Sequence, residues 1–200
     1  GAAWDLVSEF AEPCCVILKH TNPCGCACAK DLKAAYLLAR DGELPPLPIS
    51  RFGGIIAVNR PLDIEAAEEI TGPNSFYEVI AAPDFFPGVK EIFANRKGWG
   101  PNVRLVRITK NPASQYLLRS AWGGALAQAP DAISLDETKI TQATANKPTP
   151  AQMEDLLFAF KIVKHVKSNA IVIVKDKQLI GMGAGQPNRL ASVRLALQQA

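Results

Sequence analysis

The stretch "CCVILKHTNPCGCAC" (residues 14–28) joins an apolar run to a segment rich in cysteine, with a proline and a glycine. The apolar run, residues 14–18, predicts a buried strand, and residues 21–28 predict a turn. Lys19 and His20 stand between the two. The stretch is therefore compatible with three kinds of site: a metal centre, a redox centre, or a strand that delivers a Lys-His pair into a pocket.

Outward from this stretch, strand-like and helical segments alternate along the chain. The predicted helices cover residues 2–11, 30–42 with Gly42 as the stop, 63–70 with Asp63 as N-cap, a segment that begins at Pro150, and 188–200. The predicted strands cover residues 14–18, 53–59, 77–82, 102–108 and 123–128, and two more flank a turn at residues 176–177. A proline-rich loop at 41–48, a junction at 110–120 and a polar loop at 129–148 separate them. This alternation is typical of a layered α/β fold with a mixed sheet flanked by helices.

The helix near the end of the chain has the clearest pattern. Thr149 is well suited as its N-cap, and Pro150 as its first residue. Its apolar residues recur at helical spacing: Met153, Leu156, Leu157, Phe160 and Val163.

Composition and charge exclude several classes of protein. The 200 residues are 48% hydrophobic and 20% charged, which is ordinary for a globular protein. The net charge of +3 comes without a dense basic tract, so we expect no nucleic-acid partner. We expect no membrane partner either, because no apolar run is long enough to span a bilayer and no signal-peptide pattern is present. Five cysteines within fifteen residues are poor material for a disulfide framework, which favours the cytoplasm.

The cysteine spacing argues against a metal centre. Cys24, Cys26 and Cys28 alternate with single residues, and Ala27 stands where a C-x-x-C pair from Cys24 would need its second cysteine. Zinc deaminases require H-x-E and P-C-x-x-C elements, and the chain has neither. We therefore predict no metal site, with the cysteines filling tight space beside a turn.

Four chemically interesting stretches lie at predicted strand ends, where α/β proteins gather their sites. They are Lys19-His20, residues 50–54, residues 167–170 and residues 181–189. Each also has an ordinary explanation: a solvated strand end, a helix terminus, or glycines that only turn the chain. The last stretch does not match a dinucleotide fingerprint, because Gln186 occupies the position of the third glycine in G-x-G-x-x-G.

Five separated motifs resemble one known family. They are "KHTNPCG", "FGGIIAVNRPLD", "EVIAAP", "LLFAFKIVKHVKSNAIV" and "IGMGAGQPNR", and they begin at residues 19, 52, 78, 156 and 180. They occur in the same order in the transformylase part of bifunctional purine-biosynthesis proteins, which join aminoimidazole carboxamide ribonucleotide (AICAR) formyltransferase to IMP cyclohydrolase. The resemblance covers nearly the whole chain. It implies cytidine-deaminase-like α/β units that lack the deaminase zinc.

The resemblance also implies a reaction and its catalytic residues. The reaction is formyl transfer from the co-substrate 10-formyltetrahydrofolate to the 5-amino group of AICAR, with no metal. The family's catalytic Lys-His pair falls on Lys19 and His20, and the asparagine of its S-N element falls on Asn169. A histidine can remove the proton of the amine near neutral pH, and a lysine can supply positive charge.

The same resemblance implies four substrate-binding residues. The family's F-G pair falls on Phe52 and Gly53, its acidic residue before the I-A-P element on Glu78, and its G-A-G-Q-x-x-R arginine on Arg189. Arg189 would bind the phosphate of the nucleotide beside a helix N-terminus. Pro187-Asn188 and Arg51 depart from the family's usual residues, but neither departure removes a functional group.

Other parts of the family pattern are missing from the chain. They are an upstream R-Y-G-E-N-P-H-Q segment, a D-A-F-F-P-F segment, a His/Arg-rich C-terminal end and the cyclohydrolase domain. We therefore expect a fragment, with one unit at residues 1–112 and the incomplete start of a second at residues 113–200. The resemblance implies a homodimer with sites at its interface. Two rival classes remain open: a nucleotide-binding module without catalysis, and a zinc deaminase-type enzyme, which the ligand spacing opposes.

Overall fold

The computed structural model describes residues 1–41, 51–109, 116–131 and 135–200. In these residues the chain forms a seven-stranded mixed sheet that is flanked by helices. This confirms the layered α/β prediction. The α-helices of the described residues are α1 (Ala2–Val7), α2 (Leu32–Asp41), α3 (Ile64–Ile70), α4 (Val89–Asn95), α5 (Pro150–Val163) and α6 (Arg189–Gln199). The strands are β1 (Cys14–Lys19), β2 (Asn22–Cys28), β3 (Gly54–Val58), β4 (Tyr77–Ala82), β5 (Arg104–Arg107), β6 (Leu117–Ala121), β7 (Gly124–Gln128), β8 (Ile171–Lys175) and β9 (Gln178–Gly183).

The strand directions place the ends of seven strands at one end of the sheet. The strand order is β5-β4-β3-β1-β2-β9-β8. β1 runs antiparallel to both β2 and β3, β3 to β5 run parallel to one another, and β9 runs antiparallel to β2 and β8. One end of the sheet, here called the upper end, therefore collects the last residues of β1 and β9 and the first residues of β2, β3, β4, β5 and β8.

Residues 22–28 form a strand where the sequence predicted a turn. Only His20 and Thr21 make the turn, and β2 starts at Asn22, opposite Lys19. The turn was predicted because Pro23 and Gly25 are both unfavourable inside strands. Gly25 is needed there because a β-carbon would lie 2.1 Å from the carbonyl oxygen of Ala39 in α2, so the glycine lets this helix approach the sheet closely.

Helices cover the sheet on both faces. On one face, buried residues of α2, α3 and α4 pack against Ile17, Ile56 and Ile80. On the other face, α1 and α5 pack against Val16 and Leu179. Burial on both faces explains why the central strands are almost uniformly apolar, as expected for strands between two helical layers.

Three helix starts follow local capping rules. The Asp63 side chain accepts a hydrogen bond from the Ala66 amide and begins α3, as predicted. Thr149 caps α5 in a complete capping box with Gln152, also as predicted. Asn188 accepts from the Leu190 amide and begins α6. The predicted helix stop at Gly42, the loop that follows it, and residues 110–115 of the predicted junction lie outside the described residues.

The buried face of α5 is not the one along which its apolar residues recur at helical spacing. Phe158 and Ile162 are the buried residues of this helix, whereas Leu156 and Phe160 are exposed. The helix is apolar around most of its circumference, so spacing alone could not choose the buried side. Contacts with Phe10 and the sheet make that choice.

The end of the chain forms the predicted hairpin and helix. β8 and β9 flank a tight turn in which Asp176 and Lys177 both have positive φ. α6 then packs on β9 through two glycines. A β-carbon on Gly183 would lie 2.0 Å from the carbonyl oxygen of Ser192, and one on Gly181 would lie 2.2 Å from that of Ala196. These two glycines therefore permit close strand–helix packing.

Two further elements escaped prediction. α4 lies in a stretch to which the sequence reading assigned no element, and β6 begins inside the segment read as a junction. β5 is an edge strand of the sheet.

Residues 109–147 form a separate small unit. It contains the hairpin β6–β7, whose ten strand residues are all exposed, and a short 3-10 turn at Glu137–Lys139. The larger unit, residues 1–108 and 148–200, holds the whole seven-stranded sheet. The division of the chain at residues 112/113 and the likeness to cytidine-deaminase units stay predictions.

Candidate active site at the upper end of the sheet

The seven residues singled out in the sequence all lie at or next to the upper end of the sheet. Lys19 is the last residue of β1 and His20 follows it, and Phe52 and Gly53 come directly before β3. Glu78 is the second residue of β4. Asn169 lies two residues before β8, and Arg189 is the first residue of α6, whose glycine-mediated packing on β9 directs its N-terminus to this end. The topology thus gathers residues that are up to 170 positions apart, the separation of Lys19 and Arg189.

His20 occupies a strained two-residue turn. His20 and Thr21 have φ values of 52° and 63°, the pattern of the type I′ turns that join antiparallel strands. Such turns favour Gly and Asn, and a β-branched residue at positive φ is a real outlier. The His20 side chain is exposed at the tip of the hairpin, and Lys19 is half-buried beneath it. Backbone strain of this kind is common at functional sites.

Asn169 belongs to a network that joins the loop before β8 to the loop after β9. Its backbone N–H and its Nδ2 both donate to the carbonyl oxygen of Gln186, at 3.1 and 2.9 Å. The Ser192 hydroxyl of α6 donates to the Asn169 carbonyl oxygen at 2.8 Å. The N–H of Gly185, which has a φ of 66°, donates to the Lys167 carbonyl oxygen at 2.7 Å. These bonds fix the Asn169 backbone against the start of α6.

Arg189 is exposed at the first turn of an eleven-residue helix. Asn188 caps this helix and Arg189 is its first residue, so the helix N-terminus and an exposed arginine belong to the same corner of the upper end. Amide N–H groups at a helix N-terminus and an arginine both favour anions such as phosphate. This corner of the site can therefore bind a negatively charged group.

Phe52 and Gly53 form an aromatic corner that includes a residue the sequence reading missed. The ring of Phe52 is 59% exposed and lies 5.0 Å from the ring of Phe76, centroid to centroid. The Gly53 N–H donates to the Phe76 carbonyl oxygen at 2.7 Å, and its φ of 75° favours glycine. Phe76 in turn contacts Trp99 edge-on. The exposed ring of Phe52 is thus supported from the core and can contact a planar ligand.

Glu78 lies in an irregular part of the sheet. The register between β3 and β4 shifts there, with Gly54 opposite Tyr77 and Ile55 opposite Val79, so that Glu78 is the extra residue. Its side chain is exposed. An extra residue in a strand redirects a side chain, and such irregularities often occur next to active sites.

Arg51 and Asn22 also lie at the upper end, although the sequence reading gave them no role. The Arg51 Nε donates to the Cys24 carbonyl oxygen at 3.0 Å, and burial lowers the pKa of its guanidinium. Asn22 Oδ1 accepts a hydrogen bond from the backbone N–H of Lys167, which precedes β8. Both residues belong to stretches singled out from the sequence, but only the structure shows what they contact.

The second histidine of the chain has a structural partner. The carboxylate of Glu9 lies 3.0 Å from His165 Nε2 and 2.8 Å from Lys164 Nζ. Burial acts to raise the pKa of Glu9, but the hydrogen bonds from Lys164 and His165 outweigh it, and the pKa lies below its usual value. This cluster ties the end of α5 to the end of α1.

All five cysteines are free and buried. They lie on β1 and β2, where small side chains fill the space between the sheet and its helices, in agreement with the packing interpretation. In the described ranges, no group of three or more His, Cys, Asp or Glu side chains is placed to hold a metal ion.

The thiols should be unreactive in the native protein. Burial raises the pKa of Cys24 to about 11, although Arg51 and Lys19 act in the opposite direction, and burial also raises the pKa of Cys15. A raised pKa removes thiolate, so at pH 8 Cys24 should react about 100-fold or more slowly than an ordinary thiol with a pKa of about 8.5. Labelling with a thiol reagent before and after unfolding measures this, and rapid native labelling of Cys24 would contradict it.

None of the described helices combines the length and the apolar character needed to cross a membrane.

Comparison with known proteins identifies the family. The family model described as AICARFT/IMPCHase bienzyme matches residues 1–199. The whole chain is 44% identical to the bifunctional purine biosynthesis protein PurH of Thermoanaerobacter sp. (strain X514) and covers 37% of that protein. The whole chain is also 44% identical to the protein of that name from Bacillus cereus and covers 37% of it. For Oceanobacillus iheyensis PurH the identity is 42%, over 100% of this chain and 38% of the relative.

The chain thus spans less than two fifths of the length of these curated relatives. A match over almost every residue, at this level of identity, shows the family. The chain belongs to the AICARFT/IMPCHase bienzyme family.

Proposed function

We propose that the upper end of the sheet is part of the site at which a bifunctional purine-biosynthesis protein transfers a formyl group to AICAR. The donor is 10-formyltetrahydrofolate. The observation that carries the proposal is the position of Lys19, His20 and Asn169 at one end of one sheet, although they come from distant parts of the chain. Family membership supports the purine substrate.

The reaction requires help at two atoms. A C–N bond forms between the AICAR 5-amine and the formyl carbon, and the bond from that carbon to N10 of the folate breaks. The amine loses a proton, and N10 gains one. The amine is a poor nucleophile because its lone pair is delocalised into the imidazole and the carboxamide. A catalyst must therefore remove the proton and stabilise charge on the formyl oxygen.

In our proposal His20 is the general base and Lys19 supplies the positive charge. An exposed imidazole at the hairpin tip can reach a bound amine, and histidine exchanges protons near neutral pH. Lys19 precedes it on β1, so the two side chains are held by one strand end. The strained turn fixes the direction in which the strand presents them.

Asn169 and Arg189 bind substrate in this proposal. The Asn169 amide carries two N–H donors and an acceptor oxygen, and the bond to Gln186 uses one donor. Arg189 and the N-terminus of α6 take the phosphate. Phe52 and Gly53 line the pocket for the planar ring, and Glu78 accepts hydrogen bonds from the amine or amide of the substrate.

The family resemblance supports further parts of the proposal. Segments that this chain lacks contribute further site residues, and a homodimer brings sites to its interface. The co-substrate is a reduced folate and no metal is required. We expect the protein in the cytoplasm, with no nucleic-acid or membrane partner.

The two reactions of the family, formyl transfer and ring closure, can be measured separately. Their rates distinguish this proposal from its alternatives. In the full-length protein, Asn169→Ala should slow formyl transfer to AICAR by about 10-fold or more, the cost of a lost hydrogen bond of about 1.5 kcal/mol. It should leave ring closure of separately supplied formyl-AICAR unchanged. Slowed ring closure with normal formyl transfer would assign these residues to the cyclohydrolase. Normal rates of both with weaker AICAR binding would favour a binding module.

A further inference from the structure

In the part of the chain that the structure describes, the strands β2 and β9 are paired only near the lower end of the sheet. In the described residues, the two strands share one register pair, Ala27 opposite Gln178, at the lower end. The Cys28 N–H donates to the Lys177 carbonyl oxygen at 3.1 Å, also at that end. No further register pair between the two strands is found in the described ranges, so ladder pairing does not join them towards the turn that carries His20. This unpaired stretch is here called the opening. This opening separates the Lys19-His20 turn from the loop that carries Asn169.

Asn22 bridges the opening. Its Oδ1 accepts a hydrogen bond from the Lys167 N–H at 3.2 Å, and its Nδ2 donates to the His20 carbonyl oxygen at 3.4 Å. The Lys167 carbonyl oxygen then accepts from the Gly185 N–H at 2.7 Å. A continuous chain of contacts therefore runs from the histidine turn to the loop before α6.

The residue type suits this role. A bridge that accepts from one backbone and donates to another needs both functions in one short side chain, which an asparagine amide provides. The turn itself also needs support, because His20 and Thr21 both have positive φ. The His20 carbonyl oxygen accepts from Thr21 Oγ1 at 2.7 Å as well as from Asn22.

We propose that Asn22 is a positioning residue that holds the Lys19-His20 turn at a fixed distance from Asn169 across the opening between β2 and β9. It acts through His20 and Lys167 and does not touch the reacting atoms. The inference deepens the proposed function, and its kinetic part rests on it. Loss of the bridge lets the turn and the loop move apart, which lowers the rate of reaction more than the affinity for substrate.

Asn59 offers a matched control at the opposite end of the same sheet. Its Oδ1 accepts from the Cys14 N–H at 2.9 Å, and its Nδ2 donates to the Phe10 and Glu12 carbonyl oxygens at 2.8 and 2.7 Å. Asn59 is therefore also an asparagine that joins backbone segments, but it is remote from the site. Asn59→Ala should lower the melting temperature and leave the turnover of the folded enzyme unchanged.

In the full-length protein, Asn22→Ala should lower kcat for formyl transfer by about 10- to 100-fold, the effect of misplacing a reacting group by about 1 Å. The KM for AICAR should stay within about twofold, because substrate contacts remain. Hydrogen exchange should show faster exchange of the Lys167 amide in Asn22→Ala and unchanged exchange in Asn59→Ala. Asn22→Asp keeps an acceptor for Lys167 but no donor for His20, so it should protect the Lys167 amide and lose a smaller factor in kcat.

Either a normal kcat or an unchanged Lys167 exchange rate in Asn22→Ala would overturn the inference. The exchange measurement requires no activity, so it tests the bridge even if the wild-type protein transfers no formyl group. That last result would refute the proposed function, while exchange at Lys167 would still decide whether Asn22 holds the two loops together.

Discussion

His20→Ala in the full-length protein should lower the single-turnover rate of formyl transfer by about 10²–10⁴-fold, the usual contribution of a general base. AICAR binding should weaken far less, because one lost hydrogen bond costs roughly 0.5–1.5 kcal/mol, or about 2- to 13-fold. The physical reason is that the proton of the amine must leave as the C–N bond forms. Single-turnover measurements with saturating formyl-folate report this step.

His165→Ala is the control for this substitution. It removes the other histidine of the chain, whose ring lies against Glu9, so it should lower stability and leave the rate of the folded enzyme within about threefold. A His20→Ala enzyme with near-normal turnover would remove the catalytic role of the hairpin tip and leave the turn as plain structure.

Lys19→Ala should have the second largest effect, a loss of about 10²–10³-fold in the same single-turnover rate. This is the usual cost of removing one group that stabilises charge in the transition state. Lys19→Arg keeps the charge and should recover part of the rate, since the planar guanidinium places its charge differently. Lys30→Ala is a matched control, because Lys30 is an exposed lysine just past the lower end of β2. Equal rates for Lys19→Ala and Lys30→Ala would contradict the role of Lys19.

Local signals in the sequence predicted much of the fold. The capping residues Asp63 and Thr149 act within one helical turn, so their role can be read from neighbouring residues alone. The hairpin after Ile171 follows from two apolar runs and a short turn. Where tertiary contacts decide, local signals failed. β2 contains Pro23 and Gly25, and its strand exists because α2 packs closely against it.

The residues of the proposed site were assigned from the sequence, whereas their arrangement became visible only in the structure. Resemblance to a family named Lys19, His20, Asn169 and Arg189 one by one. Their common location depends on the strand order and directions, which no spacing along the chain reveals. A bridging role for Asn22 could not be predicted for the same reason, because its partner Lys167 lies 145 residues away along the chain.

The structure shows how the cysteines and the Lys-His pair of the first motif are placed. The cysteines of residues 14–28 are buried packing residues of two paired strands, and the turn between those strands presents Lys19 and His20. A redox site would need an accessible thiol, whereas at most 7% of any cysteine is exposed. The third reading, a strand that delivers a Lys-His pair, agrees best with this geometry.

A crystal structure of the full-length protein with AICAR bound tests the central claim most directly. We predict that the nucleotide lies at the upper end of the sheet, over the opening between β2 and β9. Its 5-amine should lie within about 2.6–3.2 Å of a His20 ring nitrogen, the range for proton transfer, and Arg189 should contact its phosphate. AICAR bound elsewhere in the protein, with no contact from Lys19, His20 or Asn169 of either subunit, would contradict the account.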